Sequence, residues 1–162
     1  MAAYKERVAT TTLCEEAAVA ASALRDSVLR VFESFDGSRG ALDRLLDVCA
    51  ESVVFEVAPT HETLRWLRWD GKGALRAFLG PAYGHARDLR FATNTVVAEG
   101  HTVCYQATEF ATLNEALHGL PADSRTRQEQ VHIFEFHDSL IVSWRMFPGM
   151  HVLDGEPPRQ TG

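Results

Sequence analysis

Residues Arg125–Val152 read RTRQEQVHIFEFHDSLIVSWRMFPGMHV. Two runs rich in Val, Ile, Phe and Trp flank the turn-forming triplet His137-Asp138-Ser139, a pattern that predicts a long β-hairpin. The second run ends in Trp144-Arg145-Met146-Phe147-Pro148, which sets an aromatic, a cation and a soft apolar side chain beside a strand-stopping proline. The hairpin is expected to form one wall of a small-molecule pocket.

Upstream of it, the spacing predicts strands over Thr102–Leu113 and Leu89–Ala98, the latter bounded by Glu99-Gly100. A polar, turn-prone insertion around residues 118–124 separates them from the hairpin. A helix opens at Asp70-Gly71-Lys72-Gly73 and buries Leu75, Phe78 and Leu79, with Gly80-Pro81 expected to end it. Thr60–Asp70 (THETLRWLRWD) has no clear period and reads as a loop or a short helical lid. Val53–Val57 is a short strand with a dense β-forming core. Leu42, Leu45, Leu46 and Cys49 mark the apolar face of a helix from Ser38 through about Ala50. Leu24, Val28, Val31, Phe32 and Phe35 mark an earlier helix that begins near Glu15 in an Ala-rich run.

The expected organisation is a flexible N-terminus over residues 1–14, one domain over 15–153 and a flexible tail over 154–162. Helices segregated ahead of strands joined by tight turns give the α+β class. The architecture expected is a curved, mostly antiparallel sheet with three helices enclosing a cone-shaped cavity. The sheet face left uncovered would serve a homodimer.

The formal net charge is −6 and lysine occurs only at Lys5 and Lys72. Nucleic-acid binding is not expected, because it needs a basic stripe to displace counterions. Cys14, Cys49 and Cys104 are odd in number, widely spaced and without a Cys-x-x-Cys pair, and read as reduced thiols of a cytoplasmic protein. No apolar run is long enough to span a membrane. The sequence has no metal-binding signature such as His-x-His or His-Glu-x-x-His, no nucleotide-binding glycine pattern and no Gly-x-Ser-x-Gly elbow. No metal or other cofactor is therefore expected, and the expected partner is a small hydrophobic organic substrate.

Glu109 is the anomalous carboxylate. Period two places Val103, Tyr105, Ala107, Glu109 and Ala111 on one mostly apolar face. An acid there has its ionised form disfavoured, which suits it to proton transfer. An exposed strand end or an ion pair with Arg would explain Glu109 equally. Tyr105 could donate to an oxyanion from the same face, or be a core tyrosine. His132 is a candidate general base or a cross-strand-paired histidine, and Glu129, on the opposite face of the same strand, is a candidate substrate contact, because a shift of one residue decides which of the two faces the pocket. His61, Glu62, Trp66 and Trp69 could rim the cavity mouth, although the tryptophans could instead pack their loop down. Arg145 faces away from Trp144, and His85 and His151 show no partner.

Three segments carry a family resemblance. They are Cys49-Ala50-Glu51-Ser52-Val53-Val54-Phe55, Asp70-Gly71-Lys72-Gly73-Ala74-Leu75 and the hairpin core Ile133–Arg145. In order and spacing the chain from about Val28 to Val152 resembles the nuclear-transport-factor-2-like superfamily. Within it, the chain is most similar to SnoaL-like polyketide cyclases, ketosteroid-isomerase-like proteins and limonene-type epoxide hydrolases. The epoxide-hydrolase pattern places its Tyr and Asn on Phe55 and Val57, its Arg and Asp on Ala107 and Glu109, and its Trp and Asp on Trp144 and Met146. Only Trp144 and the acid at Glu109 survive.

The resemblance implies a cofactor-free cyclase or isomerase acting on a polyketide- or terpenoid-like natural-product intermediate. Glu109 would move the proton, and Tyr105 or His132 would stabilise the oxyanion. Phe32, Phe55, Val57, Trp144 and Met146 would shape the substrate. Epoxide opening with Glu109 as acid or base is one alternative. A non-catalytic ligand-binding or dimerisation module is the other.

Overall fold

Alanine's low helical cost carries α1 (Ala2–Glu33) well past the start expected at Glu15, because the Thr run ahead of it costs only a few tenths of a kcal/mol per residue. The helix thus takes in residues 2–14, upstream of the start expected from sequence. The computed structural model describes residues 2–117 and 119–154, with side chains from residue 17 onward. Met1 and most of the expected C-terminal tail, residues 155–162, lie outside the described residues.

The hydroxyl of Ser38 caps α2 (Arg39–Asp47) by accepting from the Ala41 amide at 3.2 Å. This helix buries Ala41, Leu42, Leu45 and Leu46, and stops before Ala50 because β1 (Cys49–Val57) begins at once. β2 (Leu67–Asp70) pairs antiparallel with β1, so the last part of the segment expected to be a loop or helical lid is instead a strand. Trp69 explains the difference. Its ring stacks on Phe78 at 3.9 Å and lies 5.5 Å from Phe55, and this fastens the segment to the body.

α3 (Lys72–Gly84) runs through Pro81 instead of ending there. Proline removes one amide donor, but the last turn is held from outside. Asn114 donates to the Gly84 carbonyl, and Tyr83 packs edge-on against Phe35 at 4.8 Å.

β3 (Ala86–Glu99), β4 (Thr102–Leu113), β5 (Arg125–His137) and β6 (Leu140–Pro148) follow, and a two-residue strand, β7 (Val152–Leu153), closes the described chain. Strand order is β2-β1-β6-β5-β4-β3, with β7 paired to β5 beyond the end of β6. Every pairing is antiparallel except β1 with β6. The predicted hairpin is β5–β6. His137 pairs with Leu140 across Asp138-Ser139, both at positive φ (48° and 64°), the geometry of a two-residue primed turn. The class is α+β: three helices on an open, curved, seven-stranded sheet, with α1 across β3 and β4 and α3 on β1. Asp154, at the start of the expected tail, still donates its amide to the Arg125 carbonyl.

The narrow end of the cone is solid. Phe32 of α1 lies 4.7 Å from Tyr105, 5.1 Å from His132, 5.8 Å from Phe134 and 6.2 Å from Trp144. Phe55 closes the stack on Trp144 at 4.6 Å. The outer sheet face mixes exposed Val97 and Phe147 with polar groups. The Asn94 amide and the Thr108 hydroxyl both bond the Glu129 carboxylate, and Arg145 pairs with Glu135 at 2.8 Å. No helix among the described residues is long and apolar enough to cross a membrane.

Candidate active site

Alternation along β4 and β5 turns Glu109, Thr126, Gln128, Gln130 and His132 inward, all of them buried. Register places Glu109 opposite Gln128, Ala107 opposite Gln130 and Tyr105 opposite His132. The apolar inner face thus carries a row of polar groups where β4 and β5 leave the aromatic plug.

Beside that row lies a cavity of about 350 Å³. Its polar wall is Glu109, Gln128, Gln130 and Thr126. Phe78, Leu79 and Tyr83 of α3 face that wall, and Met146, Pro148 and Gly149 close one side. Thr60–Thr63, His85, Met150 and His151 stand at the rim.

Glu109 accepts one hydrogen bond, from Gln130 Nε2 at 2.8 Å, and its residue is 8% exposed. Burial pushes its carboxyl up to about 7, against the opposing pull of the Gln130 donor. Near neutrality it therefore samples both protonation states, as an acid–base group must. Tyr83 is raised well above the ordinary phenol range by burial and then by the Glu109 charge, so it remains a neutral donor. His132 is fully buried, and burial alone lowers it to about 3. Its Nδ1 accepts from Trp144 Nε1 at 3.0 Å and its Nε2 meets Gln130 Oε1 at 3.0 Å, so both ring nitrogens are engaged.

Of the site residues singled out from sequence, Glu109, His61, Glu62 and Met146 line the cavity, and so do His85 and His151. Tyr105 does not. Its hydroxyl meets Thr93 Oγ1 at 3.3 Å and its ring belongs to the plug. Phe32, Phe55 and Trp144 form that plug, Val57 is core, and His132 stands behind Gln130. Trp69 packs on Phe78 without lining the cavity, and Trp66 lies edge-on to Phe147. Glu129 is on the outer face, bonded to Asn94 and Thr108. His85, for which the sequence shows no partner, meets Glu115 through Nδ1. His151, likewise unpartnered in sequence, also makes an interaction. No group of three or more metal-ligating side chains occurs among the described residues.

The sequence profile of the SnoaL-like domain matches residues 28–144. The chain belongs to the SnoaL-like family. Among solved structures, it is similar to a candidate SnoaL-like polyketide cyclase from Jannaschia sp. CCS1 (TM-score 0.63, 19% identity, 76% of this chain and 83% of that one). It is also similar to an LEH-like epoxide hydrolase of M. tuberculosis (0.60, 15%, 79% and 84%). A candidate ketosteroid isomerase from Kribbella flavida matches as well (0.55, 18%, 85% and 84%). At these identities the likeness is one of fold. No match was found among curated proteins.

Sequence reasoning passed over Gln128, Gln130 and Tyr83 in this SnoaL-like cavity. For the glutamines a signal existed. Thr126, Gln128, Gln130 and His132 alternate on the face that also carries Phe134 and Phe136, and a polar run on an apolar face marks a lined site. Tyr83 gave none, since it lies beyond the Pro81 taken to end its helix.

Proposed function

We propose that the chain is a cofactor-free acid–base enzyme, a cyclase or isomerase acting on a small, mostly apolar natural-product intermediate of polyketide or terpenoid type. One observation carries this reading: Glu109, a nearly enclosed carboxyl with a single donor, faces an apolar cavity of about 350 Å³ and titrates at about 7. A carboxylate in that setting removes a proton from carbon beside a carbonyl and returns it elsewhere. Gln130 spends both amide hydrogens on Glu109 and Gln128. Gln128 spends one on the Gly149 carbonyl, which leaves its second for a developing oxyanion, with the Tyr83 hydroxyl as the other donor at the cavity wall. The apolar walls fold a flexible substrate against these groups.

The test is wash-out of deuterium from α-deuterated 2-tetralone, an enolisable fused-ring ketone small enough for the cavity. The native protein should accelerate exchange as pH rises through 7, and Glu109→Gln should lower the rate about a hundred- to ten-thousand-fold. Equal rates in both proteins would remove the acid–base role and leave the cavity as a binding site.

A further inference from the structure

From the cavity wall back into the core, four side chains form a hydrogen-bonded line whose far half, His132 and Trp144, the proposed chemistry does not itself require. Trp144 Nε1 lies 3.0 Å from His132 Nδ1, His132 Nε2 lies 3.0 Å from Gln130 Oε1, and Gln130 Nε2 lies 2.8 Å from Glu109 Oε2. A branch continues from Gln130 Nε2 to Gln128 Oε1 at 2.6 Å and from Gln128 Nε2 to the Gly149 carbonyl at 2.7 Å.

The direction of this line follows from one end. An indole nitrogen can only donate, so His132 Nδ1 must accept. A neutral imidazole that accepts at Nδ1 carries its hydrogen on Nε2. That hydrogen needs an acceptor, so the Gln130 oxygen must face His132. The Gln130 nitrogen is then left to donate to Glu109 and Gln128. A flipped Gln130 would set its nitrogen against the His132 N–H and its oxygen against the Glu109 carboxylate, two repulsions at once. An amide's orientation is ordinarily read from its network, and here the network begins at a group with no freedom of choice.

We propose that Trp144 is a positioning residue: through the tautomer of His132 and the orientation of the Gln130 amide, its indole N–H holds a donor on the Glu109 carboxylate across the width of the sheet. Trp144 never reaches the cavity, and neither does His132. The chain spans β6, β5 and β4, so the hairpin acts on the neighbouring strand through hydrogen bonds rather than by contact with substrate. Other titratable groups line the same cavity as Glu109. Tyr83 comes from α3, and His61, Glu62, His85 and His151 come from the rim. None of them belongs to the line, so breaking it leaves them in place.

The inference rests on Glu109 being the proton-transfer group, but its test needs no substrate. In ¹⁵N-labelled protein, His132 should show a protonated Nε2 and an unprotonated Nδ1, unchanged from pH 5 to 8. A protonated Nδ1 would overturn the proposal without any variant. The Glu109 side-chain carboxyl, assigned by its loss in Glu109→Gln, is then titrated by ¹³C NMR. Trp144→Phe, which deletes the N–H and keeps an aromatic ring, should raise the midpoint by about one pH unit, the size expected for losing a donor to a charged group. Gln130→Met should raise it at least as much. The double variant should match Gln130→Met alone, because the effect of Trp144 passes through Gln130. An unmoved midpoint in Trp144→Phe, or a further rise in the double variant, would overturn the proposal. If Trp144→Phe does not fold, the tautomer measurement still decides. Success here with no 2-tetralone exchange would retain the relay and discard the catalytic reading. Exchange with the wrong tautomer would do the reverse.

Discussion

Glu109 costs the fold something that an apolar residue would not, and the cost shows as an ionisation displaced to near neutrality. Its place on the inner face was visible in the sequence, because period two on β4 needs no tertiary information. What held it there was not visible. Gln130 lies opposite Ala107 rather than Glu109, and only the strand pairing shows that its side chain reaches diagonally to the acid. The tyrosine assigned as its partner was on the right face but at the wrong depth, since α1 brings Phe32 down onto Tyr105 and fills that end. Gly149 gives a prediction at this scale. A Cβ there would sit 2.8 Å from the Glu129 carbonyl oxygen, and that backbone cannot move aside without parting Gly149 from the bond its amide donates to Glu129. Gly149→Ala should destabilise the protein by about 1–3 kcal/mol in urea unfolding. An unchanged midpoint would show that this corner yields freely.

Among the elements, the β5–β6 hairpin was the most readable from sequence, for a physical reason. Alternation and turn chemistry are local, and both act within Arg125–Pro148. Helix α3 and strand β2 were less readable because distant partners decide them: Asn114 and Phe35 extend one past its proline, and Phe78 fastens the other through Trp69. The hairpin turn still carries strain. Ser139 holds φ at 64°, where an L-residue other than glycine is disfavoured by roughly 1 kcal/mol. Ser139→Gly should therefore raise the unfolding free energy by up to about that amount, less the extra freedom glycine gives the unfolded chain. A clear loss of stability in urea denaturation would show that the serine side chain contributes more than its backbone costs.

For the whole molecule, Glu109 and His132 tilt the pH dependence of stability in opposite directions. Glu109 titrates at about 7 in the fold against an ordinary 4.5. Between these values the folded state keeps a proton that the unfolded chain has lost, so stability falls as pH rises. His132 titrates at about 3 against 6.5, so in that window the unfolded chain holds the extra proton and stability rises with pH. From pH 4.5 to 6.5 the two slopes offset each other. Glu109→Gln removes one of them, and its stability relative to the native protein should climb by ~1 kcal/mol per pH unit across that range. Parallel urea-unfolding series at pH 5 and 6.5 check this, and a difference that stays constant would mean Glu109 is not held as described.

The single parallel pairing, β1 with β6, has a consequence for how the chain comes to be folded. Val54 pairs with Ser143 and Val57 with Met146, while the chain between them supplies every other strand but β7. On a ribosome, β1 with its buried Val53 and Phe55 emerges long before the strand that will seat it, and until then only β2 can cover its edge. Closing so long a loop is entropically slow, and an apolar strand left waiting is open to association with other chains. The strand that builds the cavity's side is thus also the one whose late arrival sets when the nascent chain becomes safe from aggregation.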